Sequence, residues 1–177
     1  QYLQLWQNNR NMVFRILDPL FTNLPFQSVL VDHYRALKML LEHVLVQGWT
    51  DIFFVSENIN NKGSWKRGYE RAWLDFSCSG NNGYSCSEIV YEKRNAMSKY
   101  NAIKSFINSG RIKRGNTALI LDGGDGSSGV YGALAESGLV IGRDVAVAST
   151  SILPANEFVH PAMTVISEPY DDISGYG

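Results

Sequence analysis

The sequence predicts an α/β fold, a parallel sheet flanked by helices in three layers. Three observations predict it. From Asp32 onward, short apolar runs of strand character alternate with stretches whose apolar residues recur at helical spacing. Glycines stand where the helical stretches stop. Helices, and not Asn-Gly type turns, separate the strand-like runs, so neighbouring strands should run parallel and not as hairpins.

The elements follow in chain order. Residues 1–9 have the character of a helix tail. Residues 12–17 form a strand-like run broken by Arg15, residues 18–25 a loop, and residues 28–31 a short strand. One helix and two strands cannot bury a core of their own, so this part must lean on the following lobe or on structure outside the chain. Residues 33–47 carry Ala36/Leu37, Leu40/Leu41 and Val44/Leu45 as a helical stripe, with Gly48 closing it. Asp51-Ile-Phe-Phe-Val55 is a buried strand. Ser64 is a plausible N-cap for a helix with Trp65, Tyr69, Ala72/Trp73 and Phe76 on one side. Residues 88–92 read as a strand and 98–108 as a helix closed by Gly110. Residues 117–122 read as a strand, 127–137 as a helix ended by Gly138, and 144–148 and 162–166 as strands.

Composition narrows the function. Apolar residues make up 45% and charged residues 19%, enough to bury a core. Sixteen Lys+Arg stand against 17 Asp+Glu, so no basic footprint points to nucleic acid. No apolar run approaches the ~18 residues of a membrane span. The start, Gln1-Tyr-Leu-Gln-Leu-Trp, lacks the basic and apolar regions of an export signal. It also lacks an initiator Met, which hints at a cut or processed chain. Cys78 and Cys86 flank a Gly/Asn-rich loop. They read either as two free thiols of a cytosolic protein or as a disulfide of an exported one. Their spacing is not that of a zinc site.

In an open parallel sheet, ligands bind beyond the carboxyl ends of the strands. The loops there offer Asn58, Asn60, Asn61 and Lys62, then Asp122-Gly-Gly-Asp-Gly-Ser-Ser, then Ser149, Thr150 and Ser151. Such groups suit a polar, uncharged or zwitterionic small molecule. The Asp122 loop is a Gly-rich strand-to-helix turn in which Asp125 favours the helix dipole. It lacks the Gly-Lys-Ser/Thr of a phosphate loop and the spaced glycines of a dinucleotide site. Asp122 and Asp125 also admit a Mg²⁺-dependent enzyme as a reading. No Gly-x-Ser-x-Gly elbow and no His pair at ligand spacing occur, which disfavours catalysis. Trp65 either stacks on a ligand ring or packs at a helix start, with Arg67 beside it. Arg111-Ile-Lys-Arg114 is taken as a solvated loop in preference to an anion site.

Several segments together resemble the effector domain of the lac-repressor (LacI/GalR) family. They are Ser28-Val-Leu-Val-Asp-His-Tyr-Arg-Ala36, residues 40–55 leading through Gly48-Trp49 into the strand, and Ser64-Trp-Lys-Arg-Gly-Tyr-Glu-Arg-Ala72. Thr117-Ala-Leu-Ile-Leu-Asp122, Pro161-Ala-Met-Thr-Val-Ile-Ser-Glu-Pro169 and, most specifically, Leu134-Ala-Glu-Ser-Gly-Leu-Val-Ile-Gly-Arg-Asp-Val-Ala-Val147 complete the set. The resemblance covers residues 10–177. It implies a periplasmic-binding-protein-like fold of type I, represented mainly by its C-terminal lobe. Residues 1–31 would be a remnant of the first lobe and the crossover, 32–168 the second lobe, and 169–177 the return segment.

The resemblance further implies a cytoplasmic transcription regulator, not an enzyme, without cofactor or membrane contact. A sugar-like effector would sit in an interlobe cleft, and DNA would be bound only by a domain absent from this chain. An exported sugar or signal-molecule receptor on the same fold is the alternative. Asp18, Asn58, Trp65, Arg67, Asp122, Gly123 and Ser151 are the expected ligand contacts, and Tyr131 and Leu134 the expected homodimer contacts. Three family anchors fall on other residues here: an Arg on Trp65, an Asn/Asp pair on Gly123-Gly124, and an Asp on Ser151. The departures imply a ligand unlike a plain hexose, or a degenerate site.

Overall fold

The computed structural model describes residues 15–17, 27–29, 31–58, 64–78, 83–151 and 160–166, with side chains from residue 31 onward except at 64–67. The expected helix tail at 1–9, Asp18, and the return segment at 169–177 lie outside the described residues. Strands β1 (Arg15–Leu17) and β2 (Gln27–Val29) pair in parallel as a separate two-stranded sheet. Five further strands form the main sheet: β3 (Asp51–Glu57), β4 (Ser85–Tyr91), β5 (Thr117–Leu121), β6 (Val145–Ser149) and β7 (Thr164–Val165). Their order is β4-β3-β5-β6-β7 and every pairing is parallel. Four helices connect them: α1 (His33–Val46), α2 (Ser64–Cys78), α3 (Ala96–Asn108) and α4 (Ser127–Glu136).

Alternation along the strands builds two cores. Phe53 and Val55 of β3, Leu119 and Leu121 of β5, and Val145 and Val147 of β6 face α3 and α4. Ile52 and Phe54, Ala118 and Ile120, and Ala148 face α1 and α2. Both faces of β5 are covered, so all five of its residues are buried and after Thr117 its sequence is an apolar run. The α1 stripe, Leu37, Leu40, Leu41 and Val44, is at most 3% exposed. Each such side chain contributes about 1.5–3 kcal/mol. Among the described residues, no helix is long and apolar enough to cross a membrane.

Two close approaches set the helix positions. A Cβ at Gly68 of α2 would lie 2.8 Å from His33 Cβ, so α1 and α2 meet at that glycine. A Cβ at Gly129 would lie 1.9 Å from the Ala96 carbonyl oxygen, so α4 touches the backbone of α3 there.

Several element ends differ from the sequence reading by one to three residues, and two of them have a clear local cause. β4 begins at Ser85, three residues early, because Ser85, Cys86 and Ser87 pair in register with Asp51, Ile52 and Phe53 of β3. Sheet pairing overrides their weak strand character. α3 begins at Ala96 because Asn95 caps it, its side-chain oxygen accepting from the Ser98 N–H at 2.8 Å. The Ser98 hydroxyl turns back to accept from the Glu92 and Lys93 N–H groups.

The amino end of the sheet is fastened by the basic run at 111–114. Arg111 lies over the Phe53 and Phe106 rings, at 5.1 and 5.3 Å. Lys113 pairs with Asp51 at 2.8 Å, and Arg114 with Asp144 at 3.1 Å. The run is therefore partnered as well as solvent-exposed, and Asp51 and Asp144 take the place of any bound anion. Burial raises the Asp51 carboxyl, but the Lys113 and Ser85 hydrogen bonds outweigh it and leave the group below its usual value.

Candidate functional site

The strand order reverses about β3: α2 leads outward to β4, and α3 leads back across to β5. The crevice at such a reversal, beyond the strands' carboxyl ends, is where open α/β sheets bind ligands. Here a cavity of about 320 Å³ opens at that edge and runs down the α2 face of β4. Ser56, Glu57, Asn58 and Asp122 line its edge part, and Glu88 and Val90 of β4 its far wall. Phe54, Tyr69 and Trp73, each 4% exposed, form its floor. The volume falls at the small end of the usual range for small-molecule sites.

Asp122 joins the elements around this edge. It is 7% exposed. One carboxylate oxygen accepts from the Tyr91 hydroxyl at 2.7 Å, and the other accepts from the Glu57 N–H at 3.0 Å. Lys99, fully buried, brings its ammonium to 3.4 Å from the first oxygen and donates to the Gly123 carbonyl at 3.1 Å. The Lys99 ammonium also lies 4.9 Å from the centre of the Tyr91 ring. Burial lowers the Lys99 ammonium below its ordinary value, with Asp122 opposing. Burial and the Asp122 charge raise the Tyr91 phenol far above its ordinary value. Arg94 donates to the Asp122 carbonyl at 3.4 Å and pairs with Asp125 at 3.6 Å.

These contacts show where several of the expected residues lie. Asp122 lines the cavity, but its carboxylate is already engaged by Tyr91, Glu57 and Lys99, so its main work is to tie β3, β4, β5 and α3 together. Asp122 and Asp125 each carry a cation of the chain, Lys99 and Arg94, in place of Mg²⁺. Among the described residues, no group of three or more His, Cys, Asp or Glu side chains converges as a metal site. No side chain caps the start of α4, yet the Asn95 and Ala96 backbone lies against it: a Cβ at Gly126 would sit 2.7 Å from the Asn95 carbonyl carbon.

Gly123 and Ser151 are brought together. The Gly124 N–H donates to the Ser151 hydroxyl at 3.3 Å, and a Cβ at Gly123 would lie 3.6 Å from that hydroxyl. Asn58 is exposed at the cavity mouth, its N–H donating to the Tyr91 carbonyl at 2.8 Å. Trp65 and Arg67 belong to α2, but their side chains, like Asp18, lie outside the described residues. Leu134 is fully buried in the core under α4. Tyr131 is half-buried, and its hydroxyl donates to the Pro161 carbonyl at 3.0 Å. Cys78 and Cys86 are free thiols, and burial pushes the Cys86 thiol up to about 11.

Sequence reasoning passed over Tyr91, Lys99, Glu57 and Arg94. One signal was present: Lys99, Ile103 and Phe106 share one helical stripe, so a lysine occupies a core position.

A family model described as a periplasmic binding protein-like domain matches residues 41–175. The chain belongs to that family. Solved structures with the same fold include a LacI family transcriptional regulator from Arthrobacter sp. FB24 in complex with lactose. It is 17% identical, with a TM-score of 0.75 over 97% of this chain and 60% of that one. Another is a LacI family regulator from Enterococcus faecium with bound ribose, 18% identical, with a TM-score of 0.71 over 99% of this chain and 64% of that one. A PurR family regulator from Vibrio parahaemolyticus is 15% identical, with a TM-score of 0.78 over 98% of this chain and 64% of that one. This periplasmic binding protein-like domain thus spans about three-fifths of the length of the solved structures it resembles. Comparison with curated proteins gives no match.

Proposed function

We propose that the chain is the ligand-sensing part of a LacI-type transcription regulator. A small molecule binds at the carboxyl edge of the main sheet. Binding shifts the population between two arrangements of the effector domain and so changes operator affinity. DNA is held by a domain outside this chain, the regulator works in the cytoplasm, and it works as a homodimer. The observation that carries the reading is the cavity at the reversal of strand order, lined by Ser56, Glu57 and Asn58. The sugars held by two relatives support a sugar-like effector. Residues 1–31 and 169–177 are read as pieces of the first lobe and its return, and 32–168 as the second lobe.

The reading is tested by thermal unfolding of the chain against a panel of sugars, nucleosides and amines. A ligand at a hundred times its Kd stabilises by about 2.7 kcal/mol. Asn58→Ala, at the mouth of the cavity, should weaken that ligand. In a protein carrying this chain with a DNA-binding domain, the same ligand should change operator affinity by about 5- to 150-fold. No stabilisation by any member, or stabilisation without any change in operator binding, overturns the reading.

A further inference from the structure

β4 is the outer strand of the main sheet, and among the described residues no strand pairs with its far side. Two hydrogen bonds fix which of its groups face that side. The Ser85 N–H donates to the Thr50 carbonyl at 2.7 Å, and the Tyr91 carbonyl accepts from the Asn58 N–H at 2.8 Å. In a parallel ladder, successive residues turn their backbone groups alternately towards and away from the neighbouring strand. Ser85, Ser87, Ile89 and Tyr91 therefore face β3, and the N–H and carbonyl groups of Cys86, Glu88 and Val90 point outward. Edge strands are commonly guarded by Pro, Lys or a bulge. β4 has no Pro or Lys, and its register with β3 is unbroken from Ser85 to Tyr91.

Both flanks of this edge are open. On the α2 face lies the cavity of about 320 Å³, with Val90 51% and Leu74 58% exposed in its wall. On the α3 face a groove of about 270 Å³ runs past Ile89, Ala102, Phe106 and Arg111. A strand laid along β4 hydrogen-bonds to the outward groups and places alternate side chains in the two grooves.

Charge decides the kind of strand. Glu88 is exposed at the middle of the edge, and no cation of the described residues pairs with it. A second copy of the chain, pairing antiparallel so that all the outward groups are used, sets Cys86 against the partner's Val90 and Glu88 against the partner's Glu88. Like charges directly opposite destabilise a sheet, whereas a cation opposite Glu88 stabilises it.

We infer that the outer edge of β4 receives an extended peptide segment of another protein with an apolar–x–basic–x–apolar pattern. The basic residue lies opposite Glu88, one apolar residue lies beside Val90 and Leu74, and the other lies beside Cys86. The intervening residues enter the α3-side groove. The inference is independent of the effector reading: the segment covers the far wall of the cavity and leaves Ser56, Asn58 and Asp122 at the carboxyl edge.

The probe is the peptide acetyl-Thr-Val-Thr-Lys-Thr-Val-Thr-amide, titrated calorimetrically into the whole chain at low salt. Its controls carry Glu in place of Lys, or an N-methyl group on the Lys amide. The Lys peptide should bind at least about fivefold more tightly than the Glu peptide, and Glu88→Lys should reverse the preference. N-methylation removes a main-chain donor and keeps the charge, so it should weaken binding by at least about tenfold. In the complex, hydrogen exchange should slow at the Cys86, Glu88 and Val90 amides and stay unchanged at Ser87 and Ile89, which are already bonded to β3. Val90→Pro blocks the edge at a position whose N–H the fold does not use, so the unfolding midpoint should stay nearly unchanged while binding is lost. No binding of the Lys peptide, equal binding of the N-methylated one, or no reversal in Glu88→Lys overturns the inference. A dimer of the chain that Val90→Pro dissolves assigns the edge to a second copy and overturns it as well.

Discussion

Replacing Asp122 by Asn tests whether the carboxyl edge is organised around a buried ion pair. The substitution leaves one oxygen, which in the place of the one accepting from the Glu57 amide also lies 3.0 Å from the Tyr91 hydroxyl, and it removes the charge. Lys99, at 0% exposure, then keeps only the Gly123 carbonyl at 3.1 Å and the Tyr91 ring at 4.9 Å. Stranding a buried ammonium in this way costs about 3–5 kcal/mol. At pH 7 the ceiling is about 5 kcal/mol, because past that point the side chain releases its proton, at about 1.4 kcal/mol for each unit below ~10.4. At pH 9 the ceiling falls to about 2 kcal/mol.

Lys99→Met strands the carboxylate instead. Two donors remain to it, so the cost sits near the low end, about 3 kcal/mol. The double variant holds no stranded charge and should cost about 1 kcal/mol, giving a coupling of at least about 5 kcal/mol. Equilibrium unfolding in urea, followed by tryptophan fluorescence at pH 7 and 9, measures all four proteins. Burial depresses the Lys99 ammonium, so the unfolded chain holds more protons above the folded value. Stability therefore rises as pH climbs towards ~10.4, and it should rise more steeply in Asp122→Asn, where the opposing carboxylate is gone. Single costs that add within about 0.5 kcal/mol, or a fall in the stability of Asp122→Asn with rising pH, would refute the reasoning.

Gly129→Ala should cost at least about 3 kcal/mol, because its Cβ would meet the Ala96 carbonyl oxygen at 1.9 Å. Gly132→Ala on the same helix meets only Tyr100 at 3.9 Å and should stabilise by about 0.5–1 kcal/mol; denaturant midpoints of the same sign for both would sink the packing argument. Arg143, the Val140 N–H and Arg114 hold Asp144 at about 2, so its stabilisation is complete above the unfolded carboxylate value and is lost as pH falls from ~4 towards about 2. Melting temperatures between those limits should fall less steeply in Asp144→Asn than in the parent. A thiol reagent at mildly alkaline pH should label exposed Cys78 quickly and Cys86, raised to about 11, slowly; equal rates in the native protein, or no labelling after unfolding, contradicts the two-thiol arrangement.

The fold was legible where local chemistry and tertiary packing agree. The α1 stripe from Leu37 to Val44 is the buried stripe, and Gly48, Gly110 and Gly138 follow their helices with φ of +89°, +70° and +65°. The alternation that separates Phe53 and Val55 from Ile52 and Phe54 could not be read from the apolar run itself. Periodicity is silent when both faces of a strand are covered. The start of β4 was hidden for a related reason. Ser85 and Ser87 are strand residues because β3 offers its edge to them, and nothing in their own side chains requires it.

The site was legible only in outline, because its chemistry depends on pairs far apart in the chain. Asp122 drew attention as an acid in a Gly-rich turn, and an isolated acid suggests a metal or a ligand. Its partners lie 23 residues away at Lys99 and 31 away at Tyr91, and they turn the same carboxylate into an internal joint. The two departures at Gly124 and Ser151 likewise read as independent losses of polar anchors, yet they lie 27 residues apart and hydrogen-bond to each other. Small residues at both positions close one part of the edge upon itself. The cavity itself is lined on the α2 and β4 side, by Ser56, Glu57, Glu70 and Glu88.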